Sequence, residues 1–338
     1  MAAFTPRLLF LLLFLSSTLT GSAASFKDGV KAWSAARYAQ AMKILRPLAH
    51  LGHAHAQMIL GVMYENGQGT KPDAQQAVKW YELAAEQDEI EAKYRLGSLL
   101  LLDQNENRRP EAVKWLRSAA DEGHRFAQAR VGLLCRQGKF MARDDSEAAR
   151  WLTLAAEQSV TSAQTMMGVL SERGEGVTQD FQAALKWYKL AAEQGDPEAQ
   201  CNLGVLYQQG RGVSVDYHEA VRWYQTAAEK GSSAAQFNLG LFYQKGVDGG
   251  PNFDEAIKWY RKAAEQGQAQ AQCNLGLCYQ LGWGTEVDLQ SALQWYQKAA
   301  DQGLVEAQNT LPVVRRQLER NRTGPANRQQ TSSLIGPF

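Results

Sequence analysis

The sequence predicts an all-α fold, an α-α superhelical solenoid of about seven helix hairpins with a capping helix at each end. The main evidence is that two unrelated residue types share one period, and a period of 20–50 residues indicates stacked repeats. Seven of the nine tryptophans are separated by 35 residues once and then by 36 residues five times. Seven glycines keep the same register. These structural repeat positions are Gly61, Gly97, Gly132, Gly168, Gly204, Gly240 and Gly276, and Trp80, Trp115, Trp151, Trp187, Trp223, Trp259 and Trp295.

Residues 197–231 show how one repeat is built. Apolar residues at helical spacing predict a first helix, and Gly210-Arg211-Gly212 predicts the turn that ends it. Asp216 and Glu219 form a capping-box-like pair at the start of a second helix, and Gly231 stops that helix. The glycine in the middle of each first helix predicts a close approach of two helices. Equivalent caps of the second helices are Asp73, Asp144, Asp180, Asn252 and Asp288.

The first 24 residues have the pattern of a targeting segment. Arg7 precedes the apolar run Leu8–Leu15, and the small residues Ser22-Ala23-Ala24 come directly before Ser25. This order predicts a secretory signal peptide that is cut before Ser25. A transmembrane helix needs about 20 apolar residues and this run is much shorter, so the mature chain is expected to have no membrane span. An uncleaved membrane anchor is the alternative.

The rest of the chain divides by its repeat pattern. Pro312 stands at the glycine position of the last helix and predicts a kink or a restart there. The predicted domains are a signal peptide at 1–24, an N-terminal cap or degenerate repeat at 25–52, seven repeats at 53–303, a C-terminal capping helix at 304–320 and a flexible tail at 321–338.

Charge and composition exclude some classes of function. The chain has 36 Lys and Arg against 35 Asp and Glu, a formal net charge of +1. A nucleic-acid-binding chain usually carries a clear basic excess, so no nucleic-acid partner is expected.

A family resemblance follows from the repeat motif. The motif combines Ala-x-x-x-Leu-Gly-x-x-Tyr, Gly-x-Gly-Val, Asp-x-x-x-Ala-x-x-Trp-Tyr and Ala-Ala-Glu-x-Gly, and its best copy contains Asn202–Tyr207 and Trp223-Tyr224. It resembles the Sel-one-like repeat, a relative of the tetratricopeptide repeat. The resemblance implies a scaffold or adaptor for other proteins. Exported bacterial members of similar layout serve as envelope regulators, assembly factors or host-binding proteins.

Repeats two to four depart from this motif. Leu100, Cys135 and Ser171 replace its tyrosine, and the turn Asp103–Arg109 lacks glycine. Arg108 occupies the capping position of the second helix in the second repeat, so the entry to that helix is expected to be irregular.

The resemblance also implies where a partner binds. In tetratricopeptide-like stacks the first helix of each hairpin lines the concave side, where the residues two before and four after the repeat glycine are expected to face a groove. The predicted partner-binding residues are a basic zone of Arg95, Arg130 and Arg136, and an amide ladder of Asn202, Asn238, Asn274, Gln208, Gln244 and Gln280. Amides can bond the backbone of an extended peptide, and arginines can bind its acidic groups. The alternative is that these residues are the polar surface that repeat copying produces.

Trp283 lies outside the tryptophan register, between two turn glycines. An exposed loop tryptophan is a good binding anchor, so Trp283 is a candidate loop anchor. Packing onto the next repeat is the alternative.

No residue pattern predicts catalysis, a metal site or a cofactor. His50, His53 and His55 cluster near the first turn. Two histidines that share a helix face need a spacing of three or four, but a turn falls between these, so a surface turn is the preferred explanation and a zinc or copper site is the alternative. Cys135, Cys201, Cys273 and Cys278 are too far apart along the solenoid for an intrachain disulfide. The carboxylates at the helix ends recur in every repeat, whereas acid–base catalysis needs one tuned pair.

The function predicted from these observations is an exported, non-enzymatic scaffold in a bacterial cell envelope. It would bind another protein or a peptide segment in the groove. The periplasm is the predicted location, with secretion or the cell surface as alternatives. The alternative functions are an envelope hydrolase, as claimed for Cys-rich relatives, and a secreted factor that binds a host protein.

Overall fold

The structure is a computed structural model that describes residues 25–246 and 250–323. The predicted signal peptide at 1–24 and residues 324–338 of the predicted tail lie outside the described residues. The chain divides into two compact units, with the boundary after Gln158. The described residues form seventeen α-helices and one short 3₁₀ helix, with no strand among them.

In the first unit, consecutive helices pack on one another in chain order, as expected for an α-solenoid. Its helices are α1 (Phe26–Ser34), α2 (Tyr38–His50), α3 (Ala54–Asn66), α4 (Ala74–Ala85), α5 (Ile90–Leu100), the 3₁₀ helix Glu106–Arg108, α6 (Arg109–Asp121), α7 (Arg125–Gln137) and α8 (Asp145–Glu157).

The second unit has the same order of packing between consecutive helices. Its helices are α9 (Thr161–Arg173), α10 (Phe181–Glu193), α11 (Pro197–Gln209), α12 (Tyr217–Glu229), α13 (Ser233–Lys245), α14 (Phe253–Glu265), α15 (Ala269–Leu281), α16 (Leu289–Asp301) and α17 (Val305–Thr323). In both units, odd-numbered helices from α3 to α15 are the first helices of their hairpins and even-numbered helices from α4 to α16 are the second.

Side-chain caps begin most second helices. Asp216 accepts a hydrogen bond of 3.0 Å from the backbone N–H of Glu219, so the predicted N-cap is confirmed. The predicted capping box is not formed, because the Asp216 backbone N–H donates to the Tyr207 carbonyl at 3.0 Å, and the Glu219 carboxylate accepts from Arg222 at 2.6 Å. The other predicted caps also accept from their own first turns; they are Asp73, Asp144, Asp180, Asn252 and Asp288.

The core of each hairpin is a glycine opposite a large ring or a leucine. A Cβ added at Gly204 would lie 2.7 Å from the ring of Tyr224, which is fully buried. In the second and third hairpins, leucines take the place of the tyrosine, and a Cβ at Gly97 would lie 2.7 Å from Leu116 Cγ. The first helix can therefore approach the second only because these positions lack a side chain.

The chain around the repeats is also helical. A Cβ at Gly29 on α1 would lie 2.5 Å from Leu45 on α2, so this pair repeats the hairpin geometry before the first repeat. The irregular entry predicted for the second hairpin is confirmed, since Arg108 precedes α6 without a side-chain cap. The restart predicted as one outcome at Pro312 does not occur, because α17 continues through this residue. Proline removes only the bond to the Gln308 carbonyl, and both residues are exposed to water.

Candidate protein-binding face

One face of each first helix is open in the second unit. On α11, the residues that are exposed or half-buried include Glu198, Asn202, Val205 and Gln209. They are spaced by four, three and four residues, so they share one side of the helix. This side lies opposite the glycine side that packs on α12. We call it, together with its equivalents on the other first helices and α17, the open face.

Two rows of side chains cross the open face of the second unit. The first row, two residues before the repeat glycine, is the amide row of Asn202, Asn238 and Asn274. The second row lies one residue after the glycine and is apolar. The apolar row consists of Val169, Val205, Leu241, Leu277 and Val313, each 36 residues after the last. The first four are half-buried, and Val313 is 47% exposed.

The amide row is partly engaged within the protein. Asn238 Nδ2 donates to the Cys201 sulfur on the neighbouring first helix at 3.5 Å. Asn274 makes a hydrogen bond that opposes the rise in the pKa of Tyr260 caused by burial. Asn202 has no hydrogen-bond partner in the part of the chain that the structure describes. The carbonyl oxygens of Asn202 and Asn238 remain as possible acceptors for a bound backbone.

The glutamines of the predicted amide ladder have a different role, because they anchor the hairpins. The Tyr224 hydroxyl donates to Gln208 Oε1 at 2.7 Å, and the Tyr296 hydroxyl donates to Gln280 Oε1 at 2.9 Å. Tyr260 donates to Gln244 in the same way. The tyrosine lies 16 residues after its glutamine in each hairpin, and this recurring pair was the signal in the sequence that could have revealed the bond.

The three arginines of the predicted basic zone differ in their exposure and in whether a carboxylate of the protein pairs with their charge. Arg95 donates to Glu91 at 2.5 Å and to Glu65 at 3.3 Å, so two carboxylates neutralise it. Arg136 is half-buried near the end of α7. Arg130 is exposed and has no ionic partner among the described residues. Arg95 and Arg130 therefore differ, because in the part of the chain that the structure describes the charge of Arg95 is paired and that of Arg130 is not.

Trp283 is half-buried and packs inside the second unit. Its ring stacks on Phe253 at the start of α14, with 4.8 Å between ring centroids. The side chain is thus half-buried rather than exposed, and its contact runs to the preceding repeat rather than to the next one; a role as a loop anchor stays a prediction. The same loop contact recurs where Arg211 lies 5.4 Å over the ring of Phe181.

Each histidine near the first turn makes a contact of its own, and the rings of His53 and His55 also meet edge-on at 6.2 Å. His50 packs edge-on against Trp80 at 5.1 Å. His53 caps α3 by accepting from the Ala56 N–H at 3.4 Å. His55 pairs with Glu89 at 3.1 Å. Among the described residues, no group of three or more His, Cys, Asp or Glu side chains is placed to hold a metal ion.

The four cysteines are separate buried thiols. Burial raises the pKa of Cys135, Cys201 and Cys273 to about 11, and that of Cys278 to about 12. Thiolate is the nucleophilic form, so their surroundings disfavour nucleophilic chemistry.

A row of buried glutamines that the sequence analysis missed links successive repeats. Gln236 Nε2 donates to the Ala228 carbonyl at 3.1 Å, and its Oε1 accepts from Gln266 at 2.7 Å. The members that are buried in this way are Gln57, Gln128, Gln164, Gln200, Gln236 and Gln272. Their shared register, four residues before the repeat glycine, was visible in the sequence.

The second repeat replaces this pair of amides by charges. Lys93 occupies the glutamine position, is 3% exposed, and donates to Asp88 at 2.7 Å and to Glu122 at 2.6 Å. Burial alone would lower the pKa of Lys93, but the hydrogen bonds to the two carboxylates and the attraction of their charges together raise it. The lysine is thus held in its charged form.

Comparison with known protein families gives a match over most of the chain. A family model described as the Sel1 repeat matches seven consecutive segments, at residues 54–89, 90–124, 125–160, 161–196, 197–232, 233–268 and 269–304.

Two solved structures are similar over nearly the whole chain. A protective antigen of uropathogenic Escherichia coli with an SLR fold is 32% identical, with a TM-score of 0.78, and the match covers 93% of this chain and 68% of that one. A Sel1 repeat protein of Oxalobacter formigenes is also 32% identical, with a TM-score of 0.67, and the match covers 90% of this chain and 93% of that one.

Curated relatives match only in part. An uncharacterized protein of Neisseria meningitidis is 37% identical over 101 residues, which is 30% of this chain and 21% of the relative. Chitin synthase regulatory factor 3 of Schizosaccharomyces pombe is 36% identical over 111 residues, 31% of this chain and 12% of the relative. The chain thus spans a small part of the length of these relatives. Within the described ranges, no helix has the length and apolar character needed to span a bilayer.

Proposed function

This chain belongs to the Sel1 repeat family, whose members are typically scaffolds for protein–protein interaction, and from that premise we propose that it binds an extended segment of a partner protein. The segment lies across the open face of the second unit. The observation that carries this proposal is the pairing of the amide row with the apolar row at the same step in successive repeats.

The spacing of the rows suits an extended peptide. Neighbouring first helices are about 10 Å apart, one helix diameter. Three residues of extended chain span about 10 Å, so every third side chain of a bound segment can contact the next member of the apolar row. The free carbonyl oxygens of Asn202 and Asn238 can accept from its backbone N–H groups.

A peptide-display selection on the purified full chain tests this proposal. Selected peptides are expected to carry an apolar residue at every third position. Leu241→Asp should weaken their binding at least about tenfold, or about 1.4 kcal/mol. Leu241→Ala, which adds no charge, should weaken it less.

The matched control is Gln294→Asp on α16. Gln294 is exposed and lies on a second helix, away from the open face. Far-UV circular dichroism shows whether each variant is folded. Peptides that bind equally well to the folded Leu241 variants and to the original chain would disprove the proposed site.

Binding rather than catalysis is the second part of the proposal. An envelope hydrolase would need an activated nucleophile, whereas burial raises the pKa of all four thiols. The proposal therefore assigns the open face of the second unit to recognition and no residue to a chemical step.

We further propose that the chain is exported to the periplasm after cleavage before Ser25. Ser25 is the N-cap of α1, and its backbone N–H donates to the Asp28 carboxylate at 2.8 Å. A new ammonium group at Ser25 would keep this contact and strengthen it by charge. N-terminal sequencing of the chain from the periplasmic fraction should begin at Ser25. Recovery only in the cytoplasm with residues 1–24 attached would disprove export.

A further inference from the structure

The open face has an apolar end beside the last helix. Leu277 on α15 is half-buried, Val313 on α17 is 47% exposed, and both belong to the apolar row. Leu281, one helical turn further along α15, is also 47% exposed. The hydrogen bond of 3.1 Å from Gln280 Nε2 to Gln317 Oε1 holds these two helices side by side. The apolar row thus continues beyond the repeats, onto α17.

The chain that follows α17 carries a short apolar segment. Residues 331–338 read Thr-Ser-Ser-Leu-Ile-Gly-Pro-Phe, with Ile335 and Phe338 three positions apart. Three extended residues span about 10 Å, which is the step between members of the apolar row. We propose that residues 331–338 dock on the open face of the second unit. Ile335 then packs between Val313 and Leu277, and Phe338 packs between Leu277 and Leu241.

The length of the connecting chain permits this contact. Thr323 is the last residue of α17, and Val313 lies ten residues before it, a distance of about 15 Å along the helix axis. One step sideways adds about 10 Å. Eleven residues, 324–334, join Thr323 to Ile335, and they span at most about 36–40 Å. Both apolar side chains can therefore reach their places on the face.

This inference rests on the proposed function, because the tail would cover the face assigned to a partner segment. A tethered segment acts as if present at about millimolar concentration. If the tail bound with a Kd of about 0.1 mM, it would weaken binding of an outside segment by about tenfold. The tail would thus regulate access to the scaffold.

Photo-crosslinking of the full chain tests the contact. A photo-reactive residue replaces Leu277 in one chain and Asn274 in another, and Gln294 serves as the control position. After irradiation and trypsin digestion, both face positions should link to the peptide 329–338, and the control position should not. A folded chain that gives no such link from either face position would overturn the inference.

A mixture of isotopically heavy and light chains identifies the source of the tail. Links only within heavy chains and within light chains are expected for a tail that folds back on its own face. Mixed links would show that the face binds the tail of a second copy, and would overturn the proposal.

Paired tail variants separate this inference from the proposed function. Ile335→Asp with Phe338→Asp should abolish the link and raise the affinity for a selected peptide by about tenfold. Ser332→Asp with Ser333→Asp adds the same charge and should change neither the crosslink nor the affinity for the peptide. If the peptide binds the original chain and the Ile335/Phe338 variant equally, the inference fails and the proposed function stands. If the tail links to the face but no peptide binds even the variant, the proposed function fails instead.

Discussion

The ring of Tyr224 fills the space that a side chain at Gly204 would need. A Cβ placed on Gly204 would lie 2.7 Å from the ring and 3.1 Å from the Ala220 carbonyl oxygen. The hydroxyl of the same tyrosine donates to Gln208 Oε1 at 2.7 Å. One tyrosine therefore sets both the closeness of the two helices and the direction of a polar side chain four residues after the glycine.

Alanine at this glycine should destabilise the second unit. Gly204→Ala is expected to lower the free energy of unfolding by about 1–3 kcal/mol, because the ring must move in a packed core. Gly276 is the matched position, since its Cβ would lie 3.2 Å from Tyr296. Gly276→Ala should change stability by less than about 1 kcal/mol, as helix propensity offsets the tighter contact. Urea unfolding followed by far-UV circular dichroism measures both, and equal effects would contradict the packing argument.

The period of the sequence was enough to predict the fold. Glycine and tryptophan recur together because every hairpin needs the same close contact, and capping residues such as Asp216 act within one turn of chain. Local signals of this kind can be interpreted from the sequence without any knowledge of the tertiary structure. Pro312 does not restart the helix, because the Gln308 carbonyl that loses its partner is exposed and can bond to water.

The candidate site was harder to predict, because helical spacing gives the side of a helix but not the partner of a side chain. Gln208 lies near the open face, yet the hydroxyl of Tyr224, on the other helix of the hairpin, occupies its oxygen. Arg95 is neutralised by Glu65 from the preceding repeat. Trp283 was expected to be exposed, but its stacking partner Phe253 lies 30 residues earlier in the chain.

The buried thiols should react slowly in the folded protein. A pKa of about 11 for Cys201 leaves about one thiol in a thousand as thiolate near pH 8. Alkylation by iodoacetamide in native buffer should therefore be at least about 100-fold slower than in urea. Mass spectrometry of the peptides that contain Cys201 and Cys278 measures both rates. Rapid native labelling of either residue would show that its helix opens or that its environment is polar.

The first unit should lose stability in acid before the second. Five of its carboxyls have lowered pKa values. Ser25 lowers the pKa of Asp28 through its hydrogen bonds, and the other four accept a hydrogen bond from a basic side chain; the pairs are Glu91 with His124, Glu111 with Arg108, Asp145 with Arg143, and Glu147 with Arg117. In the described part of the second unit, one carboxyl, that of Asp288, has a lowered pKa. A carboxyl whose pKa is lower in the folded state stabilises the fold at every pH above its unfolded-state pKa. This stability is lost as the pH falls through the folded-state pKa.

Hydrogen exchange from neutral pH to about pH 3.5 checks this expectation. After correction for intrinsic rates, protection in α5–α8 should fall further than protection in α11–α16. Glu147→Gln removes the carboxylate that accepts from Arg117 at 2.6 and 2.9 Å. This variant should be less stable than the original chain at neutral pH, and acidification should lower its stability by a smaller amount. Parallel pH curves for the variant and the original chain would contradict the assignment to Glu147.

Lys230→Gln should stabilise the second unit. In the other glutamine pairs the later residue donates to the buried one, as Gln266 donates to Gln236 at 2.7 Å. Lys230 stands at that later position for Gln200, but its ammonium donates to the Gly195 carbonyl at 2.8 Å. The buried Gln200 Oε1 consequently has no partner among the described residues.

Glutamine at position 230 can restore the missing bond without losing the existing one. Gln158 shows the geometry, since its Nε2 donates both to Gln128 Oε1 at 2.8 Å and to the Gly123 carbonyl at 3.2 Å. The expected gain in the free energy of unfolding is about 0.5–1.5 kcal/mol, measured by urea unfolding. Lys230→Ala is the matched control, because it removes the ammonium and supplies no donor. If the glutamine variant is no more stable than the alanine variant, the unpaired oxygen of Gln200 does not limit stability, and water must already satisfy it.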